Sequence, residues 1–280
     1  MRANGLACAL LALAFAFAPP ARAQDSSKAW VATQRDLDTV DNVWTYLRHK
    51  DCAGAARALE SGTQAQLPSV LLMAGAMFEQ GTCFKPNWER AVGYYERAHA
   101  AGHPRAAARI ASGSATSAAG PDRAAALWWA HRGRQAMPAE CAVDAAALDD
   151  PDRFVATLRQ WPLQRVDACT YVADIVGTVV GDTEFAGKAS QFGLEGTLRL
   201  VFKPASQAFE IVTEHLAFVP SSGWTSGELM RDRETRDVKQ SFEKDIRETI
   251  ERALRRYLKP DAIDPSWVVE LRFVYGYVLR

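Results

Sequence analysis

The stretch VKQSFEKDIRETIERALRRY, residues 238–257, decides the fold of the C-terminal part of the chain. Its apolar residues recur at intervals of mostly three or four positions. They are Val238, Phe242, Ile246, Ile250, Ala253, Leu254 and Tyr257. Because one turn of an α-helix takes about 3.6 residues, these positions form a single stripe. The stretch therefore predicts an amphipathic helix that can cover one face of a sheet.

Alternating patterns on both sides of this helix predict the strands of that sheet. Residues 196–203 alternate between apolar and polar side chains. The two faces are Leu198, Leu200 and Phe202 against Arg199 and Lys203. This alternation is typical of a strand with one solvated face. Residues 209–213 predict its hairpin partner, and the alternation over 269–277 predicts a long final strand.

The final strand is the candidate partner-binding strand. We expect it to lie at an edge of the sheet, where its backbone donors and acceptors remain free on one side. An extended segment of another protein could pair there. The residues of this candidate site are Val268, Glu270, Arg272 and Val274.

The segment TYVADIVGTVV, residues 170–180, is rich in β-branched side chains and predicts a buried strand. It follows Trp161 and Pro162, where helical spacing gives way to strand-like runs. We therefore predict a boundary between a helical domain, residues 24–160, and an α+β domain, residues 161–280.

The first of these domains is predicted to be entirely α-helical. Residues 36–160 are rich in alanine, leucine, arginine and aromatic residues at helical spacing, with glycine and proline at short intervals. The predicted helices lie near 36–49, 52–61, 67–80, 87–101, 104–112, 121–136 and 151–160.

The N-terminal residues resemble a secretory signal peptide. Arg2 precedes an apolar run, and Ala21-Arg22-Ala23 fits the small-x-small cleavage pattern. We expect residues 1–23 to be removed, so that the mature protein starts at Gln24 in the periplasm. A lipid anchor on Cys8 is the alternative, which the missing aliphatic residue three positions earlier disfavours.

Four cysteines remain after cleavage: Cys52, Cys83, Cys141 and Cys169. Export to an oxidising compartment predicts two disulfides, although three pairings are possible and buried free thiols are an alternative. Antiparallel helices would bring the start of the helix at Cys52 beside the end of the helix before Cys83. This favours a Cys52–Cys83 bond, leaving Cys141 to pair with Cys169.

Residues 71–102 resemble one Sel-one-like repeat, a relative of the tetratricopeptide repeat. The matching positions are Ala74, Gly75, Phe78, Gly81, Ala91, Tyr94, Tyr95, Ala98 and Gly102. A shift of about 34 residues aligns Ala91, Tyr94 and Tyr95 with Ala125, Trp128 and Trp129 in a degraded second copy. The resemblance implies stacked helical hairpins and a surface for a protein partner.

The order strand, strand, helix, strand resembles the C-terminal domain of the TonB family. Residues 192–202, 253–260 and 268–273 carry this resemblance. It implies a small antiparallel sheet covered by a helix and the binding of other envelope proteins. The polar link 219–236 is longer than in the family. The family's energy transducers also need a membrane helix and a proline-rich spacer ahead of the domain, and neither pattern occurs here.

Patterns that would indicate catalysis are scarce. Ser241 and Lys244 match the Ser-x-x-Lys spacing of serine acylases, but the companion motifs are absent. His99 and His103 are four residues apart, but Gly102 and Pro104 interrupt the helix, so we expect two exposed histidines and no zinc site. We predict no catalytic, metal-binding or cofactor-binding residues.

Five aromatic residues of the repeats could instead line a peptide groove or belong to the core: Trp88, Tyr94, Tyr95, Trp128 and Trp129. Core positions are the more common role of aromatics in such helices. The sequence leaves both interpretations open.

Composition excludes some classes of partner. Removal of Arg2 and Arg22 from 33 basic and 33 acidic residues leaves a net charge of −2, which does not favour nucleic acid. No run in the mature sequence reaches the roughly 18 apolar residues of an integral membrane segment. The favoured function is a non-enzymatic periplasmic protein-binding or adaptor protein. The alternatives are an accessory of TonB-type energy transduction and a β-lactam-binding hydrolase, a role linked to cysteine-rich Sel-one-like proteins.

Overall fold

The computed structural model describes residues 32–116, 120–183, 194–218 and 228–275. Within these ranges the chain combines α-helices with a three-stranded antiparallel sheet, which agrees with the predicted α+β class. The helices are α1 Gln34–Arg48, α2 Cys52–Gln64, α3 Pro68–Gln80, α4 Trp88–Ala100, α5 Ala106–Ser114, α6 Arg123–Arg132, α7 Pro151–Leu158, α8 Leu163–Asp182 and α9 Glu228–Arg256. The strands are β1 Leu194–Lys203, β2 Ala208–Phe218 and β3 Val269–Tyr275. The signal peptide predicted at 1–23 and residue Tyr277 lie outside the described residues.

Side-chain caps fix where several helices begin. Asp51 accepts a hydrogen bond from the Gly54 N–H at the start of α2, and Asn87 and Asp122 cap α4 and α6 in the same way. Such a cap satisfies an N–H group that has no partner within the helix. The seven helices predicted between residues 36 and 160 are all present, with ends that differ by up to four residues.

Consecutive helices pack as pairs, α1 with α2, α3 with α4 and α5 with α6. The approach of α3 to α4 depends on Gly75, because a Cβ atom there would overlap the ring of Tyr95. Tyr95 is fully buried as a result. A small residue on one helix thus admits an aromatic residue from the next.

Both predicted disulfides are present. Cys52 and Cys83 have Cα atoms 5.3 Å apart, and the Cα atoms of Cys141 and Cys169 are 5.6 Å apart. The first bond joins the start of α2 to the turn after α3, as the antiparallel arrangement requires. The second joins a short 3₁₀ turn, Ala139–Cys141, to helix α8 and not to a strand.

The strand predicted at 170–180 is wrong, because these residues lie within helix α8. This helix contacts α5, α6 and α9, so it is enclosed on most sides. Apolar residues therefore occur around its whole circumference, and no periodic stripe marks it as a helix. Contacts of this kind outweigh the weak strand preference of valine and threonine.

The strand order of the sheet is β2-β1-β3, with both pairings antiparallel. The predicted hairpin is confirmed, since Lys203 of β1 pairs with Ala208 of β2. On the inner face Leu198, Leu200 and Phe202 are fully buried. Helix α9 contributes Phe242, Ile246, Ile250 and Ala253 to the same core, as its stripe predicts.

One apolar core extends across the predicted domain boundary at residues 160–161. It contains Leu127 of α6, Phe154 of α7 and much of α8 together with the inner face of the sheet. Helix α8 thus joins the helical part of the chain to the sheet. Among the described residues, no helix is long and apolar enough to cross a membrane.

Candidate functional site

β3 lies at an edge of the sheet, as expected for the candidate binding strand. It pairs with β1 on one side, and in the described ranges no strand pairs with its other side. Its pairing with β1 is regular from Val269 to Tyr275. The opposite edge strand, β2, has a register shift where it passes Thr197 and Leu198 of β1. Bulges hinder further pairing, so β3 is the better template for an added strand.

The hairpin register fixes the direction of the backbone groups in β1. The pair that closes the turn is Lys203 with Ala208, and the next residue is Pro204. Because proline has no amide hydrogen, the closing pair must exchange its own backbone hydrogen bonds. The backbone of Lys203 therefore points toward β2. Alternation along the strand then points the backbone of Leu200 toward β3.

The same alternation fixes the direction of the backbone groups in β3. Leu200 stands opposite Leu271, so the N–H and C=O of Leu271 point toward β1. The backbone groups of Glu270, Arg272 and Val274 consequently point away from the sheet. Within the described part of the chain, three of the four residues of the candidate site thus have backbone donors and acceptors without a strand partner. Val268 lies one residue before the strand and is 51% exposed.

The side chains of β3 divide between two faces. Val269 and Leu271 are buried on the inner face. On the outer face Glu270 accepts a hydrogen bond from Nε of Arg272 at 3.2 Å and lies 3.5 Å from Nη1 of Arg199. Arg199 is also 3.2 Å from a carboxylate oxygen of Glu214. The outward backbone groups of Glu270 and Arg272 therefore belong to residues whose charged side chains lie on the outer face of the sheet.

A cleft lies between α4 and α6, and Ile110 and Ser114 of α5 also line it. The cleft has a volume of about 650 Å³, and its walls include Trp88 and Trp129. Glu89 and Asp122 also line it. Trp88 approaches α5 so closely that a Cβ atom on Gly113 would overlap its ring. The cleft combines aromatic walls with charged side chains of both signs, because Arg123 lines it as well.

The five aromatic residues of the repeats thus have different roles. Tyr95 belongs to the core, and its hydroxyl donates a 2.6 Å hydrogen bond to Glu79. Tyr94 stacks on Phe78, with ring centroids 5.6 Å apart. Trp128 packs edge to face on Phe154. Only Trp88 and Trp129 of this set line the cleft.

The residues that resemble catalytic or metal-binding groups do not converge. Ser241 is exposed on α9, and Lys244, whose side chain is 74% exposed, lies 3.9 Å from Glu248. Among the described residues, no three histidine, cysteine or acidic side chains are placed to hold a metal ion.

The expectation that His103 is exposed is wrong. Its side chain is buried, and Nδ1 accepts a hydrogen bond from the Arg105 N–H at 3.2 Å. Burial lowers the pKa of His103 to about 3. The chain folds back after α4, where the His103 N–H donates to the carbonyl of Ala98, and this turn encloses the ring. His99 is partly buried and meets the ring of Trp129 edge to face.

A buried carboxyl group was missed by sequence reasoning. Asp174 lies in α8 and is 5% exposed, and its Oδ1 atom has no hydrogen-bond partner among the residues that the structure describes. Burial raises its pKa well above the ordinary value, against the opposing effect of Arg256. Nearby, the Tyr257 hydroxyl lies 2.9 Å from the hydroxyl of Thr178. An acidic residue within an apolar run is the signal that could have revealed this group.

Comparison with known proteins identifies no relative. No family model matches the chain, and no curated protein or solved structure matches it either.

Proposed function

We propose that this protein is a non-enzymatic envelope protein that binds an extended segment of a protein partner by adding it to β3. The observation that carries the proposal is the edge of β3 that no described strand covers, with outward backbone groups at Glu270, Arg272 and Val274. Strand addition obtains its affinity from main-chain hydrogen bonds and its specificity from the side chains beside them. The resemblance of this region to the TonB C-terminal domain supports the same mode of binding.

An adaptor role needs a second surface, and the cleft between α4 and α6 is the candidate. Its two tryptophans, Trp88 and Trp129, offer large apolar contacts that cost little conformational entropy on binding. The two surfaces lie on different parts of the chain. The protein would then connect one partner at the helices with another at the sheet, in the periplasm if residues 1–23 direct export.

A proline substitution tests the mode of binding at the sheet. Arg272→Pro removes an outward N–H group while leaving the bonds between β1 and β3 intact, and proline is tolerated at such edge positions. Arg272→Ala removes the same side chain but keeps the N–H group. We expect the proline variant to lose capture of partners from envelope extract, and the alanine variant to keep most of it. Circular dichroism checks that both variants remain folded.

Site-specific photo-crosslinking identifies the partner. A photoreactive amino acid at Glu270 should crosslink to the captured protein, whereas the same group at Lys244, an exposed position on α9, should not. Val274→Pro should act like Arg272→Pro, and Ser241→Ala and Lys244→Ala should change nothing. Equal capture by Arg272→Pro and by the unaltered protein would exclude strand addition at β3. Loss of a measurable hydrolytic turnover in Ser241→Ala would instead favour the hydrolase.

A further inference from the structure

We infer that a second copy of this chain is itself a partner of β3, and that two copies pair their β3 strands antiparallel about Leu271. This inference rests on the proposed function, because it uses the same free edge. The observations that carry it are the order of charges along β3 and the direction of its backbone groups.

Two-fold symmetry restricts how two identical strands can pair. In a symmetric dimer the same residues of both copies meet, so one residue of β3 stands opposite itself and its neighbours are exchanged. With Leu271 on the axis, Glu270 stands opposite Arg272 of the second copy, and Arg272 stands opposite Glu270. The outer face then carries two opposite-charge pairs. On the inner face, Val269 stands opposite Phe273.

Other registers are less favourable. With Arg272 on the axis, two guanidinium groups face each other, and with Glu270 on the axis two carboxylates do so. Like charges directly opposite each other destabilise a strand pair. If the axis passes through Val269 or Phe273, Glu270 no longer stands opposite Arg272 of the second copy. Fewer residues of the two strands then overlap. The sequence of β3 therefore favours Leu271 as the centre.

The backbone supports the same register. The N–H and C=O groups of Glu270 and Arg272 point away from β1, so each charged pair can also exchange two main-chain hydrogen bonds across the interface. Leu271 then forms a pair without main-chain hydrogen bonds, in which opposite side chains come closest. The apolar inner faces of both sheets lie on the same side of the dimer. The result is a continuous six-stranded sheet of order β2-β1-β3-β3-β1-β2.

The charges select the register more than they supply affinity. Glu270 and Arg272 are 38% and 57% exposed, and exposed pairs of opposite charge contribute little to stability. In the single chain the Glu270 carboxylate already forms ion pairs with Arg272 and Arg199. Dimerisation therefore replaces these ion pairs with similar ones across the interface. Main-chain hydrogen bonds hold the copies together, because Leu271 is already buried in the single chain and adds little apolar burial. Because both events use the same edge, the dimer and a bound partner strand exclude each other.

Charge reversal tests the inferred register. Glu270→Arg places arginine opposite arginine in both pairs, and Arg272→Glu places glutamate opposite glutamate. Each variant alone should raise the dissociation constant of the dimer by about tenfold or more, measured by sedimentation over a range of concentrations. Glu251→Arg reverses an exposed charge on α9 and should leave the dimer unchanged.

A mixture of the two variants gives the decisive measurement. When Glu270→Arg meets Arg272→Glu, every charged pair across the interface is again between opposite charges. Equimolar mixing should therefore restore dimers, detected by energy transfer between differently labelled copies, although each variant alone is mostly monomeric. If the mixture does not dimerise better than either variant alone, the register about Leu271 is wrong.

The oligomeric state and the capture of a partner together distinguish a failure of the inferred dimer from a failure of the proposed function. If the unaltered protein is monomeric at about 1 mM while a partner still crosslinks at Glu270, self-pairing is wrong and strand addition stands. If Arg272→Pro dimerises and captures partners like the unaltered protein, both are wrong. Dimerisation that Arg272→Pro abolishes, together with restoration in the mixture, supports the inference.

Discussion

Helices α8 and α9 both contribute to the core beneath the sheet, but they differ in how much protein surrounds them. Fourteen of the 20 residues of α8 are buried, on every side of the helix. Helix α9 buries one stripe that includes Phe242, Ile246 and Ile250, and it exposes charged residues on the other side. A polar group in the centre of α8 is therefore isolated from water, while one on the outside of α9 is solvated. The first helix connects the parts of the molecule, and the second covers the sheet.

The largest effect should follow from a charge in the centre of α8. Ile175 is fully buried and belongs to the core shared by helices and sheet. Ile175→Asp buries an unpaired charge, at a cost of several kcal/mol. We expect α5 to α9 and the sheet to unfold together, as loss of most of the circular dichroism signal and of slow amide exchange. Retained protection in the sheet would show that α8 does not connect the two parts.

A charge in the stripe of α9 should have a more local effect. Ile246→Asp also places an ion in the core, and we expect it to unfold α9 and the sheet. Helices α1 to α4 belong to two other cores, one of which also contains Ala106 and Ile110 of α5, and they should keep their protection from amide exchange. Leu254→Asp should destabilise less, because Leu254 is only partly buried. Leu258→Asp is the control, since Leu258 is 94% exposed.

Removing each disulfide in turn compares how much the bond at α8 and the bond at α2 contribute to the free energy of unfolding. Each bond closes a loop of similar length, with separations of 28 and 31 residues. The chain-entropy term is then about 3–4 kcal/mol for either bond. Cys141 and Cys169 are both fully buried, so replacing this pair with alanine should cost more than replacing Cys52 and Cys83. Equal losses of unfolding free energy in urea would contradict the central role of α8.

The smallest effect is expected from a substitution of Asp174. This substitution tests whether the centre of α8 is isolated from water. Its pKa is raised in the folded protein by burial, so folding favours the protonated carboxyl. The contribution of protonated Asp174 to the free energy of unfolding is fully present below the unfolded pKa of 3.8. This contribution is lost as the pH rises through the raised folded pKa. Asp174→Asn should therefore raise the Tm at pH 7, and the gain should vanish below about pH 4.

An exposed carboxylate supplies the control for this measurement. Asp237 lies on the solvated side of α9, and Asp237→Asn should give no comparable gain in Tm at pH 7. A similar gain in both variants would indicate a general effect of net charge. Such a result would remove the special role of Asp174.

Local patterns predicted much of the fold because they report contacts within one element. Spacing of three to four residues gave the seven helices before residue 160 and the stripe of α9, and alternation gave β1 and β2. The pairing of Cys52 with Cys83 followed from an antiparallel arrangement of helices. Part of the candidate site could be predicted from the same kind of pattern, because Glu270 and Arg272 alternate with buried residues.

Tertiary structure decided what depends on neighbours that are distant in sequence. α8 is a helix because protein surrounds it, which removes the periodicity that a half-solvated helix keeps. The same enclosure isolates Asp174, and the turn after α4 buries His103. The outward direction of the amides in β3 depends on the pairing with β1 and on Pro204 in another turn. The sequence by itself specified which residues prefer helix, strand, core or solvent, whereas packing between elements specified which backbone and polar groups remain free.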